Sequence, residues 1–271
     1  MNRSVVVHHL VDASADLPPD PPTVILSNSL GATSAMWDRQ VAALALHFRV
    51  VRYDARGHGA SPVPEGPYSI DDLADDVIGL LDRLDVSSAH FVGLSLGGMT
   101  GLRLAARNPD RIDRLALMCT SALLGPAISW HDRAALVRAE GTATVAEAVV
   151  ERWYTASLAQ REPDRVRVAH AMVAATPAEG YASCCEAIAE MDLTGDLVSI
   201  TAHTLAIAGR DDPATPPPHL SRIAAGVRHG RLLIVPDAAH LVNDEQPDIV
   251  NRALIAHLAD GPAPAGTSEV S

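Results

Sequence analysis

A chain of 271 residues that is 48% hydrophobic but only 3% aromatic is too apolar for disorder and must build its core from Ala, Val, Leu and Ile. Its 33 acidic against 21 basic side chains leave a formal charge of −12, which argues against nucleic acid as a partner. No apolar run approaches the roughly 18 residues that span a bilayer, and Val5–Val7 is cut short by His8 and His9, so a cytoplasmic protein with no membrane partner is expected.

In chain order, strand and helix signals alternate, which predicts an α/β fold with a largely parallel sheet. Val5 to Val11 reads as an opening strand, and Thr23 to Leu26, after a Pro-rich turn, as a buried one. Arg49 to Tyr53 is the third strand, ending at Asp54-Ala55-Arg56-Gly57-His58-Gly59. Ser69 and Asp72 form an N-terminal capping pattern for a helix whose apolar positions, Leu73, Val77, Leu80 and Leu84 among them, follow the helical period. His90 to Val92 is a strand, Gly97 to Arg107 a helix and Leu115 to Cys119 a strand. Residues 122–196 then lose the alternation and read as Ala-rich helix. Strands return at His203 to Ala208 and Arg231 to Val235, before a last helix from about Glu245 to Leu258. The expected organisation is a core of 1–121 and 197–259, an inserted helical cap of 122–196, and a disordered tail of 260–271.

The sharpest chemical signal is Gly93-Leu94-Ser95-Leu96-Gly97-Gly98, set between a strand and a helix. A serine on so tight a turn needs glycines two residues away on either side, because larger side chains would clash. The turn lifts the Ser95 hydroxyl above the sheet at a helix N-terminus, where the free N–H of Leu96 can face a developing oxyanion. The N–H of Leu30, after a central strand, is the candidate for the second oxyanion donor.

A serine hydroxyl is a poor nucleophile without a base. Downstream, Asp211 and Asp212 end one strand, and Asp237-Ala238-Ala239-His240 ends the next, so both loops should reach the same sheet edge. His240 would take the hydroxyl proton, and an aspartate would fix its ring tautomer. Successive residues leaving a strand point to opposite sides, so only one of Asp211 and Asp212 can serve.

These motifs resemble the α/β-hydrolase fold, and more narrowly the 3-oxoadipate enol-lactonases. The resemblance runs from about Val24 to Leu258. It is carried by Ser27-Asn28-Ser29-Leu30-Gly31, where the superfamily usually has His-Gly, by Met36-Trp37-Asp38, and by Gly66-Pro67-Tyr68-Ser69. The elbow itself, Glu179-Gly180-Tyr181, Cys184-Cys185 and Asp211-Asp212-Pro213-Ala214-Thr215-Pro216 add to it. The resemblance implies a mostly parallel central sheet with helices on both faces and a helical cap. It also implies Asp212 as the acid, through the spacing Gly209-x-x-Asp212-x-x-x-Pro216. Ser129-Trp130-His131-Asp132-Arg133 resembles a family segment that makes Trp130 a pocket wall and Arg133 the partner of a substrate carboxylate. The implied activity is cofactor-free hydrolysis of an anionic enol-lactone, with a general carboxylesterase, a cofactor-free perhydrolase or a catalytically silent ligand-binding protein as alternatives.

Other chemistries lack their residues. All 21 bases are arginine, so Schiff-base, P-loop lysine and Ser-Lys mechanisms are excluded. The three cysteines, Cys119, Cys184 and Cys185, are too few for a disulfide framework or a Cys-rich zinc site. The histidines show no metal-ligand spacing, so no metal is expected.

Overall fold

A computed structural model describes residues 4–259, and the tail expected at 260–271 lies outside the described residues. The strands are β1 (His9–Asp12), β2 (Thr23–Ser27), β3 (Arg49–Tyr53), β4 (Ala89–Leu94), β5 (Ile112–Met118), β6 (His203–Gly209) and β7 (Gly230–Val235). They form one sheet in the order β1-β3-β2-β4-β5-β6-β7, in which only the β1–β3 pair is antiparallel. Every residue of β2 and β4 is buried, as expected of central strands covered on both faces.

The opening strand is shorter than the sequence suggests. The Val5 N–H donates to Asp76 Oδ1 (2.7 Å) and the His8 N–H to Ser61 Oγ (2.8 Å). These donors go to side chains instead of to a ladder, and pairing with β3 starts only at His9.

Helices cover both faces of the sheet. The first are α1 (Asp38–Leu44), α2 (Ile70–Arg83) and α3 (Leu96–Arg107). In α2 the capping pattern forms as read: Ser69 Oγ accepts the Asp72 N–H, and the Asp72 carboxylate accepts the Ser69 N–H (2.9 Å). Its face of Leu73, Val77, Leu80 and Leu81 is buried. The sequence pattern marked no helix at α1, which is only 7 residues long and too short to show a period. It also missed α9 (Pro217–Gly226), whose opening prolines read as a turn although proline fits the first turn of a helix.

Between β5 and β6 run α4 (Ala127–Glu140), α5 (Ala143–Val150), α6 (Ala156–Arg161), α7 (Pro163–Ala174) and α8 (Ala178–Glu190), with no strand among the described residues. Here α4 packs on α8, and α5 on α7. The chain closes with the short α10 (Val242–Glu245) and with α11 (Pro247–Leu258), which packs on α1 and β5. No helix among the described residues is long and apolar enough to cross a membrane.

Two buried polar contacts brace this frame. Arg56 grips Asp76 bidentately, with Nε to Oδ2 at 2.6 Å and Nη2 to Oδ1 at 2.7 Å, and so ties the loop after β3 to α2. Removing one partner of such a pair typically costs about 3–5 kcal/mol, because the other charge is left buried. On α11, the His257 Nε2–H donates to the Leu115 carbonyl of β5 (3.0 Å).

Burial, aided by nearby Arg114 and Arg231, pushes His257 down to about 4 from its ordinary 6.5. Between those values the unfolded chain holds a proton that the folded chain does not. Stability therefore falls as pH drops from about 6.5 towards about 4, by roughly 3 kcal/mol from this group. Urea unfolding at about pH 7 and about pH 4.5 checks this: the loss on acidification should be smaller in His257→Gln than in the unchanged protein.

Candidate active site

Ser95 stands between the last residue of β4 and the first of α3, at φ 56° and ψ −114°. A non-glycine residue in this region carries strain of about 1–3 kcal/mol, so its surroundings must enforce it. They do so through backbone and side-chain bonds: the Ser95 N–H donates to the Met118 carbonyl (2.9 Å), and Thr120 Oγ1 donates to the Ser95 carbonyl (2.6 Å). The flanking glycines are sterically required. A Cβ on Gly93 would lie 2.2 Å from the Gly97 carbonyl oxygen, and one on Gly97 would lie 2.2 Å from the Ser27 carbonyl oxygen at the end of β2.

The loops after β6 and β7 meet as expected. His240 Nδ1 lies 2.9 Å from Asp212 Oδ2, both side chains being almost wholly buried, while Asp211 is exposed. Burial alone would raise the Asp212 carboxyl. The facing imidazole and the hydrogen bonds from Thr215 outweigh it and hold the group at about 2. An ionised carboxylate only accepts, so Nδ1 of the imidazole carries the proton and Nε2 presents its lone pair. Thr215 Oγ1 donates to Oδ2 (2.8 Å), and the N–H groups of Ala214 and Thr215 donate to Oδ1 (2.8 and 3.1 Å). Of the two aspartates, the one implied by the family resemblance, Asp212, is the one in contact with His240.

Ser95 and His240 line the same cavity, of about 300 Å³. Among the described residues, the Ser95 hydroxyl makes no hydrogen bond to His240.

The two expected oxyanion donors are free: neither the Leu30 nor the Leu96 N–H has a partner among the described residues. The loop carrying Leu30 is fixed from several sides. Asn28 donates from Nδ2 to the Tyr53 carbonyl (2.8 Å), accepts the Trp37 Nε1–H at Oδ1 (2.8 Å), and accepts the Gly97 N–H at its carbonyl (2.9 Å). Buried His58, which the sequence reading left as part of a Gly-rich turn, completes the clamp. Its Nδ1–H donates to the Arg56 carbonyl (3.1 Å), and its Nε2 accepts the Gly31 N–H (3.0 Å). Desolvation lowers its pKa and favours this neutral form.

Trp130 and Arg133, both on α4, also reach the cavity. The Trp130 Nε1–H donates to the Leu124 carbonyl (3.0 Å), and the Arg133 guanidinium carbon sits 4.6 Å from the centroid of the Trp130 ring. The sequence reading gave no role to two further wall residues, Arg152 and Tyr181. Tyr181 lies within one of the segments that carry the family resemblance, but no local pattern marks either side chain as facing Ser95.

Ligand atoms of Cys119, Asp212 and His240 lie within 4.8 Å of one another. The trio suits a metal poorly. Burial and nearby Asp212 push the Cys119 thiol well above its ordinary range, so no thiolate is available, and His240 Nδ1 is committed to Asp212.

A strained serine between a central parallel strand and its helix, sharing a cavity with a histidine paired to a carboxylate, fits a hydrolase class, and the chain belongs to it: the model of the α/β-hydrolase-fold family matches residues 22–247. Within that class it is similar to 3-oxoadipate enol-lactonase 2 of Acinetobacter baylyi, at 41% identity over 237 residues, covering 88% of each chain. Enol-lactonase 1 of the same organism is 36% identical over 231 residues, 85% of this chain and 86% of the other. The crystal structure of the enol-lactonase from Burkholderia xenovorans superposes with a TM-score of 0.90 at 42% identity, covering 94% of this chain and 96% of that one. The family resemblance read from the motifs is confirmed.

The glycine geometry yields a direct test. Gly97→Ala forces a Cβ against the Ser27 backbone and should cost about 1–3 kcal/mol or more in urea unfolding. Gly195→Ala, where a Cβ meets nothing within 4 Å, should stay within about 0.5 kcal/mol of the unchanged protein.

Proposed function

We propose that the protein hydrolyses 3-oxoadipate enol-lactone to 3-oxoadipate, a step of aromatic-compound catabolism, through a covalent acyl-enzyme. Ser95 attacks the lactone carbonyl while His240 Nε2 takes its proton. Asp212 holds the ring tautomer and stabilises the imidazolium. The N–H groups of Leu30 and Leu96 receive the oxyanion. Attack breaks the ring C–O bond and expels an enolate, a better leaving group than an alkoxide. The proton held on His240 passes to the enolate, giving the ketone, removing the nucleophile that would reclose the ring and returning His240 to its neutral form. Water activated by His240 then releases the second carboxylate and restores Ser95. Every step is proton and acyl transfer, so the reaction calls for no cofactor.

The observation that carries this reading is a guanidinium, that of Arg133, in the same small cavity as Ser95 and His240. A protein of net charge −12 repels an anionic substrate unless a local cation offsets its field. Arg133, steadied on the face of Trp130, is placed to pair with the lactone's free carboxylate. In this reading, residues 122–196 are a cap over the core of 1–121 and 197–259, and the cap supplies the specificity wall. The three cysteines are free thiols, in keeping with a cytoplasmic location.

Turnover of the enol-lactone, followed by loss of its ultraviolet absorbance, tests the assignment. Ser95→Ala should lower kcat by about four orders of magnitude or more. Arg133→Ala should lower the preference for the lactone over neutral p-nitrophenyl acetate by about tenfold to a hundredfold, mainly through KM. Equal losses on both substrates would give Arg133 a structural role instead.

A further inference from the structure

The cavity holds a second guanidinium, which the sequence did not single out. Arg152 follows α5, and the segment after it is fastened to the loop that carries His240. The Leu241 N–H donates to the Trp153 carbonyl (2.9 Å), and the Tyr154 hydroxyl donates to Asp244 Oδ2 (2.7 Å). The Glu245 carboxylate accepts the Thr155 N–H (3.2 and 3.3 Å), the Thr155 hydroxyl and the Ala239 N–H (3.0 Å). Arg152 is therefore held in register with the catalytic histidine.

Among the described residues no carboxylate lies within ion-pair distance of Arg133 or Arg152, and none lines the cavity. Arg56, Arg103 and Arg138, by contrast, each hold acidic partners. Burial pushes the Arg152 guanidinium down from the ordinary arginine range and repulsion from Arg133 adds to this, while Glu151 and Asp212, neither in direct contact, offset only part of it. A third group points the same way. Tyr181 is fully buried on the cavity wall, and its hydroxyl lies near Arg133 but makes no hydrogen bond of good geometry. Two half-buried cations with no carboxylate in direct contact and a buried hydroxyl with no well-formed hydrogen bond carry a desolvation cost, which one bound anion would offset at all three.

We propose that Arg152 and the Tyr181 hydroxyl complete, with Arg133, a receptor for the carboxylate of the substrate, and that these two residues set the preference for anionic over neutral acyl compounds. A carboxylate offers about four lone-pair sites, enough to accept from two guanidiniums and a phenol together. The proposal rests on the reading of Ser95 and His240 as the acyl-transfer centre of a lactone-opening enzyme. It adds an opposed pair of effects that a structural arginine cannot produce: neutralising Arg152 relieves the empty protein while weakening anion binding.

The test is competitive inhibition of p-nitrophenyl acetate hydrolysis by pentanoate and by its uncharged analogue pentanamide, at constant ionic strength. The unchanged protein should bind pentanoate more tightly than pentanamide. Arg152→Met should raise the inhibition constant for pentanoate by about tenfold or more, and Tyr181→Phe by roughly threefold to tenfold, with much smaller changes for pentanamide. The Tm of Arg152→Met should equal or exceed that of the unchanged protein. A pentanoate-to-pentanamide ratio that keeps its original value in both variants overturns the proposal. Should Arg152→Met not fold, the ratio in Arg152→Gln and Tyr181→Phe decides. A protein that shows the expected ratios but does not open the enol-lactone refutes the substrate assignment and leaves the anion receptor standing.

Discussion

The closeness of two backbones at the ends of β2 and β4 underlies everything at the sheet edge. Gly97 lies against the Ser27 carbonyl with no room for a methyl group, and its N–H is bonded to the carbonyl of Asn28. That contact joins the turn bearing Ser95 to the loop bearing Leu30, so the two orphaned N–H groups share one rigid frame. The strain at Ser95 is sustained because Met118 and Thr120 on the neighbouring β5 side hold its N–H and carbonyl. A residue at positive φ with such anchors cannot relax by local rearrangement, and preorganisation of this kind is what oxyanion stabilisation requires.

The helices between β5 and β6 are joined to the catalytic edge by polar bonds. Glu245 bridges Ala239, beside His240, to Thr155 in the inserted segment, and Leu241 reaches Trp153. The segment beside Arg152 and the loop bearing His240 are therefore fastened to one another. Electrostatics is organised on the same scale. The chain is acidic overall, yet among the described residues the charged side chains lining the cavity are the guanidiniums of Arg133 and Arg152, so its local potential opposes that of the whole chain.

The fold was legible wherever one signal dominated locally. Continuous apolar runs marked β2 and β3, and Ser69 with Asp72 marked the start of α2. The misreadings have local causes. Residues 5–8 look like strand, yet they give backbone donors to Asp76 and Ser61, partners far away in sequence. Helix α1 is too brief for a period, and the prolines opening α9 read as a turn. At the site, the glycine spacing announced Ser95 because steric exclusion works between near neighbours in the chain. Arg152 and Tyr181 escaped notice because nothing beside them in sequence distinguishes a side chain facing a cavity from one facing solvent.

By itself the sequence determined the alternation of strand and helix, the nucleophile turn and the approximate partners of Ser95, since each is written in residues within a few positions of one another. It also determined the kind of cation available, arginine alone. The family resemblance favoured Asp212 over Asp211, and the tertiary structure shows the contact itself: leaving a strand, the two point apart, and the position of the β7 loop determines that Asp212 meets His240. Tertiary structure alone placed His58 under the Leu30 loop, and it alone brought Arg152 beside Arg133 with no carboxylate at hand. Such pairings join residues far apart along the chain, and their geometry exists only once the sheet has set its edges side by side.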